Sequence, residues 1–301
     1  MNARRDLRRC RIALSAALAM LLSACTHSWD TCGDVYCLDV QPPQYVSGVG
    51  SGQGLDVRDG LVWIIGDSAT GVAREFAVEP GGKLAATGSA ITLTVNGTDR
   101  VPHPTGLTHQ PAAGTFLGNT VAERGEILLV DWAAATAAGS LDGAIINAVS
   151  DGAAYNGSRP ELVWVDSRWL VATADYGDGP NELRLYDPDF LLNATDTTDP
   201  NVLVMRFPAP PFVQSLHYWA QRDVLILVQN RKSGDEWKLT FVDLSASVLT
   251  GELVVQDVLE PGAPGELEGL HFTDDEHVLM ITSSRANNVY PGRITLRTAP
   301  P

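Results

Sequence analysis

The sequence predicts an all-β fold, a five-bladed β-propeller of four-stranded antiparallel blades. Three observations carry that expectation. Strand signals dominate, with short β-branched runs such as "LVWIIGD", "EILLVDW", "VLILVQN" and "HVLMITS" bounded by Gly, Pro, Asn and Asp. After residue 25 no stretch keeps a helical apolar period over several turns; the alanine-rich "AAATAAGSLDGA" comes nearest, and two glycines cut it. Finally, five segments align on Leu55, Leu107, Leu162, Leu216 and Leu270, spaced by 52, 55, 54 and 54 residues. Four strands in about fifty residues is the length of one blade.

The first segment, "GQGLDVRDGLVWIIGD", holds two strands and a turn, and "REFAV" and "ITLTV" follow as the third and fourth. The second, "PTGLTHQPAAGTFLGN", is followed by "EILLVDW" and "AIINAV". "RPELVWVDSRWLVATAD" leads to "ELRLYD" and "VLVMRF", and "VQSLHYWAQRDVLILVQN" to "WKLTFVD" and "LVVQDV". The fifth, "LEGLHFTDDEHVLMITS", is followed by "RITLR" alone. Its missing strand is expected from "VYCLDV", residues 35–40, which precedes the first repeat. An N-terminal strand in the last blade closes the ring and hides two sheet edges. The alternative, six blades, needs a repeat that the sequence does not show. Residues 35–301 are thus expected to form one propeller domain.

Ahead of it lie a segment to be removed and a tether. Residues 1–11 carry five arginines against Asp6, and the apolar run "IALSAALAMLL" ends in "LSAC". A basic start, a short apolar run and small residues before a cut site read as a secretory signal over residues 1–24. "LSAC", Leu22 to Cys25, resembles the lipobox of bacterial lipoproteins. The resemblance implies cleavage before Cys25, a lipid on Cys25 and a globular part held at a membrane. Because Thr26 rather than an aspartate follows, it favours the outer membrane over the inner. Residues 25–34 are expected to be the tether, and an extracytoplasmic address follows.

Charge and cysteines narrow the functions. The chain has 21 basic and 36 acidic residues; removing five Arg and one Asp with the leader leaves 16 and 35, a net of about −19. Such a surface repels phosphate backbones, so nucleic acid is excluded as a partner, while cations suit it. With Cys10 in the leader and Cys25 lipidated, Cys32 and Cys37 of "CGDVYC" are expected to form a loop disulfide in an oxidising space. The alternative, a two-thiolate metal site, lacks further sulfur.

In a propeller each inner strand begins at the face where the second strand ends. Residues before the aligned leucines are Gln53, Thr105, Arg159 with Glu161, Gln214 with Ser215, and Glu268. Those ending the second strands are Asp67 with Ser68, Asn119, Asp175, Gln229 with Asn230, and Ser283 with Ser284. All five blades therefore present polar groups at one axial mouth. Hard oxygens from Glu268, Glu161, Asp67, Asn119, Asp175, Asn230 and Gln53 suit Ca²⁺, which takes six to eight of them. His217 and His271 occupy equivalent positions one past the leucine and read as blade packing. His103, in "VPHPTG", is a candidate base or ligand. In "GELEGLHF" the sequence places Glu266 in a solvated turn and Glu268 at the mouth. No Gly-x-Ser-x-Gly, His-Glu-x-x-His or Gly-Lys-Ser/Thr motif is present.

"LEGL" opening an inner strand of a secreted propeller resembles the Glu-Gly entry of SdiA-regulated and gluconolactonase (SMP-30)-type propellers. The resemblance implies that Glu268 faces the axis and contributes to a divalent-metal site, with Gly269 allowing close backbone approach. Those gluconolactonases have six blades, and this chain departs from them in that count. Glycosidases of the arabinanase and levansucrase type are also five-bladed, with three acidic residues from separate blades. Asp67, Glu161 and Glu268 come from blades one, three and five and are the candidate catalytic groups, although Gln53-Gly54 replaces the expected first aspartate. Two functions remain open. One is a lipoprotein that binds a calcium-like cation or small polar ligand at its axial mouth, or envelope partners at its rims. The other is a metal-assisted hydrolase of a lactone, glycoside or phosphoester.

Overall fold

A computed structural model describes residues 29–121, 124–154, 157–232, 235–263 and 265–298. Five sheets form the blades, four of them ordered inner to outer along the chain and the last completed from the N-terminus. Blade I comprises Ser51–Arg58, Leu61–Asp67, Gly71–Val78 and Leu84–Thr92; blade II comprises Pro104–Gln110, Gly114–Val121, Arg124–Val130 and Ile145–Asp151. Blade III comprises Glu161–Val165, Arg168–Ala174, Glu182–Tyr186 and Leu203–Pro208; blade IV comprises Val213–Trp219, Val224–Lys232, Asp235–Asp243 and Val254–Leu259. Blade V is Leu267–Phe272, His277–Thr282 and Val289–Leu296, completed by Tyr36–Val40.

That closing strand runs antiparallel to Val289–Leu296, with Tyr36 opposite Leu296 and Val40 opposite Gly292. Blade V has a fifth strand, Thr31–Cys32, with Cys32 opposite Cys37 and a disulfide between them. Trp29 packs edge-on against Tyr290 of the same blade, ring centroids 5.7 Å apart. The ring therefore includes residues 29–32, inside the stretch expected to be tether. The signal segment 1–24 and Cys25 lie outside the described residues.

The five leucines do what their repeat implies. Leu55, Leu107, Leu162, Leu216 and Leu270 each join the apolar layer shared with the preceding blade. Burying each contributes roughly 1.5–3 kcal/mol, and each clamps one blade to its neighbour.

Two features differ from the sequence expectation. The outer strand of blade I is Leu84–Thr92, not "ITLTV"; Thr94–Val95 pairs instead with Thr98–Asp99 across Asn96-Gly97. Both turn residues have positive φ, 51° and 72°, as a tight hairpin requires. The true strand, "LAATGSAIT", is half exposed and poor in branched residues, so its strand signal is weak. Short helices also appear: α1 (Trp132–Ala138), α2 (Pro188–Leu191) and α3 (Leu244–Thr250) link third to fourth strands in blades II to IV. Each is capped by an aspartate that ends the preceding strand or follows it, Asp131, Asp187 and Asp243. At seven residues or fewer they are too short to show a helical period.

Candidate functional site

The inner strands approach so closely that the axis is shut. Gly54, Gly106, Pro160, Ser215 and Gly269 surround a void of only about 10 Å³. A Cβ on Gly269 would stand 3.1 Å from Gly54 Cα, and one on Gly106 would stand 3.0 Å from the Pro160 ring. This neck separates two mouths.

Above the neck, four blades carry a β-bulge. Gln53, Thr105, Gln214 and Glu268 are each skipped in the pairing of first and second strands, between 52 and 54, 104 and 106, 213 and 215, and 267 and 269. A bulge re-aims one side chain and twists the strand locally. Blade III has no bulge; Arg159 and Pro160 stand there, and Thr173 Oγ1 accepts from Arg159 N at 2.9 Å. All five polar residues, Gln53, Thr105, Arg159, Gln214 and Glu268, are buried.

The upper mouth is thus filled with buried polar side chains, several of them held by neighbours. Thr105 Oγ1 donates to Ser158 O, and Gln214 Nε2 donates to Glu266 Oε1 at 2.6 Å. Burial first, and the Glu266 carboxylate second, raise Glu268 well above the usual range, while Arg159 opposes this. Glu266 also accepts from Ser283 Oγ at 3.4 Å. Glu266 is therefore a mouth residue, half-buried and held by Gln214, which corrects the solvated turn expected from its Gly/Pro-rich surroundings. His103 Nδ1 lies 3.2 Å from Asp67 Oδ2 at the rim.

Other expected ligands have other work. Asp175 binds Arg184 through both oxygens, at 2.7 and 2.9 Å, and accepts from Glu182 N. Asn230 Oδ1 accepts from Leu267 N at 3.1 Å, tying blade IV to blade V. Asn119 Nδ2 donates to Arg100 O and Glu126, leaving Oδ1 buried without a partner. Among the described residues no group of three or more His, Cys, Asp and Glu side chains is arranged to hold a metal.

Glu161 turns the other way. It follows Pro160 of the neck, accepts from Tyr218 N at 2.8 Å and lies 3.5 Å from His217 Nδ1. There it lines a cavity of about 250 Å³ with Asp56, Thr108, His217, His271 and Trp169, at the opposite mouth. The seven expected ligands are therefore divided between two faces.

Two carboxylate–imidazole pairs meet in this lower cavity. Asp56 Oδ2 accepts from Arg58 Nε at 2.6 Å, and Oδ1 lies 3.4 Å from His271 Nε2. His271 Nδ1 is 2.8 Å from Phe272 O, an acceptor only, so Nδ1 carries a hydrogen. The Asp56 carboxylate beside Nε2 favours a second hydrogen there, and with it the imidazolium form. Burial alone would lower His271, but the Asp56 hydrogen bond and charge outweigh it and raise its pKa. Burial alone would raise Asp56; His271 and Arg58 outweigh it and hold it low.

The second pair is neutral. The His217 ring lies against His271, centroids 4.3 Å apart. Burial and then the His271 charge hold His217 well below its ordinary value. Its Nδ1 is buried without a hydrogen bond, because 3.5 Å from Glu161 is beyond one. Burial pushes Glu161 up to about 8. Sequence reasoning took His217 and His271 for packing residues and did not include Asp56. The signal was present: all three stand one past the aligned leucine, in three blades.

Five antiparallel blades, a shut neck and a cavity on one side of it define the class: a small five-bladed β-propeller. No family model matches the chain, and no curated protein matches it. Solved propellers are similar in shape. The PQQ-bound aldose sugar dehydrogenase of Streptomyces coelicolor is 14% identical over 86% of this chain and 88% of that one, with a TM-score of 0.42. An engineered GH43 glycoside hydrolase with endo-xylanase and exo-arabinofuranosidase activity is 12% identical over 84% of this chain, TM-score 0.47. This chain covers 51% of that hydrolase, about half its length. A functionally unknown protein from Desulfotomaculum acetoxidans DSM 771 is 16% identical over 77% of this chain and 71% of that one, TM-score 0.40. Such likenesses bring no activity to this chain.

Proposed function

We propose that this protein is an extracytoplasmic, lipid-anchored propeller that binds a small polar molecule in the cavity beneath its neck. One observation carries the reading: Asp56, Glu161, His217 and His271 converge on a cavity of about 250 Å³. Buried ionisable groups are expensive, and their concentration at a cavity marks a site more often than a scaffold. The anchor rests on the lipobox at Leu22–Cys25. Calorimetry and thermal shift with neutral sugars, amino acids and dicarboxylates test the binding. At least one probe raises the melting temperature of the wild type, and Glu161→Gln or His217→Gln reduces the shift. A panel without effect on the wild type refutes the reading.

A hydrolase is the second reading, favoured by two carboxyl groups in one cavity with pKa values pushed apart. Glu161 would be the acid and Asp56 the ionised partner. Turnover of chromogenic glycosides or lactones, lost in Glu161→Gln, is its measurement. A divalent cation at the upper mouth rests on the nearness of the Glu266 and Glu268 carboxyls, which raises the cost of ionisation at Glu268; Arg159 opposes it. Calcium calorimetry on the wild type and Glu268→Ala decides that, since heat from neither removes the cation.

A further inference from the structure

Resting on the cavity reading above, we infer that the ligand is a neutral carbohydrate. One sugar unit enters the cavity, and the next lies on the Trp164–Trp169 pair at its lip. The wall selects for charge first. Asp56 already faces Arg58 and His271, whereas His217 and Glu161 stand 3.5 Å apart with burial opposing charge on both. An anionic ligand would meet the Asp56 carboxylate and Asp274 at the rim. A cationic one would meet the His271 imidazolium beside an Arg58 that is itself buried. Neither charge finds an unpaired partner.

Uncharged hydroxyl groups do. The Glu161 carboxyl, the imidazole of His217, and Thr108 and Gln110 are side chains that both give and accept hydrogen bonds. Among the described lining residues, His217 Nδ1, in a side chain only 5% exposed, and Trp219 Nε1 are buried polar atoms that lack a hydrogen bond. Such a group discriminates strongly, because a ligand that fails to bond it leaves it unsatisfied.

Flat apolar surface supplies the other half. Trp169 lines the cavity, and Trp164, its cross-strand partner, packs on it edge-to-face with centroids 5.1 Å apart. Trp164 is 44% exposed although it is the largest apolar side chain type. Deeper in, Trp219 and Phe272 stack at 4.3 Å. Aromatic faces next to hydrogen-bonding groups match a pyranose, which has apolar C–H faces and a polar edge. At about 250 Å³ the cavity falls just below the drug-sized range of roughly 300–1,000 Å³, so it holds one ring and leaves the next outside.

The test is tryptophan fluorescence with calorimetry on the full chain. Probes are glucose, galactose, arabinose and N-acetylglucosamine, with cellobiose and lactose as two-unit forms and succinate and arginine as charged controls. At least one neutral sugar is expected to bind saturably and change the fluorescence. Glu161→Gln and His217→Gln weaken it by about tenfold, the loss of one buried hydrogen bond. Trp164→Ala, an exposed replacement, weakens the matching disaccharide more than the single ring. Binding of succinate or arginine with none of the sugars overturns the carbohydrate assignment while small-molecule binding stands. No binding by any probe overturns both. Equal disaccharide affinity in wild type and Trp164→Ala, with unchanged melting temperature, overturns the platform.

Discussion

Glu161 holds a carboxyl where ionisation is opposed by burial, and this gives it a measurable signature. Its folded pKa, about 8, exceeds the unfolded value of about 4.3. The folded chain keeps a proton between those values that the unfolded chain releases. Stability is therefore full below about pH 4.3 and falls as pH rises to about 8. Glu161→Gln removes that slope, as urea unfolding across the range will show; an unchanged slope means another group causes it. Asp175 is the opposite case, a carboxylate already paired. Arg184→Met leaves its carboxylate buried without this ion pair, and should lower the unfolding free energy by about 3–5 kcal/mol. Adding Asp175→Leu recovers part of the loss, because it removes the stranded charge. From the sequence Asp175 and Glu161 look alike, polar residues near strand ends. Their partners, Arg184 and His217, are invisible until the strands pair.

At the scale of elements, bulges and the ring closure decide most. The bulge at Thr105 depends on Gly118, whose added Cβ would lie 2.2 Å from Ser158 O. Backbone cannot give way cheaply, so Gly118→Ala is expected to cost about 1–3 kcal/mol and to disturb Arg159 next door. Denaturant midpoints check the first part. The closing strand is held across to blade IV by Asp257, which accepts from Asp34 N, Val35 N and Tyr36 N at 3.1, 2.9 and 2.8 Å. Burial alone would raise Asp257; those backbone bonds outweigh it and hold it below its usual range. Its stabilising effect is thus present above about pH 3.9 and fades as pH falls through the depressed value. Asp257→Ala should lower the melting temperature at neutral pH, with the difference from wild type shrinking in acid. Equal melting at neutral pH would sink this account of the closure. Blade count and closing strand were legible in the repeat of leucines and in "VYCLDV". The bulges were not, since nothing in a single strand says which residue its partner will skip.

For the molecule as a whole, anchor and ring lie close together in sequence. Only residues 26–28 separate Cys25 from Trp29, which already packs on blade V. Four steps along an extended chain reach at most about 15 Å, so a lipid on Cys25 would hold blade V near the bilayer. Cys25→Ser is expected to move the protein from the membrane to the soluble fraction and to abolish labelling by a palmitate analogue. Retention of the variant in the membrane would argue against the anchor. Among the described residues no helix is long and apolar enough to cross a membrane.

The sequence by itself determined the class of fold, its five blades, the strand that closes them and the Cys32–Cys37 bridge. The fold features follow from periodic burial, a local property repeated along the chain. The bridge follows from the two cysteines, five residues apart, that remain after the leader and the lipid site. Only the tertiary structure decided where the chemistry lies. Glu161 and Glu268 share a sequence position relative to their leucines within one residue, yet the neck of Gly54, Gly106, Pro160, Ser215 and Gly269 divides them. Which face a side chain joins depends on bulges and on how near five backbones approach. Those distances come from packing between blades that are distant in sequence.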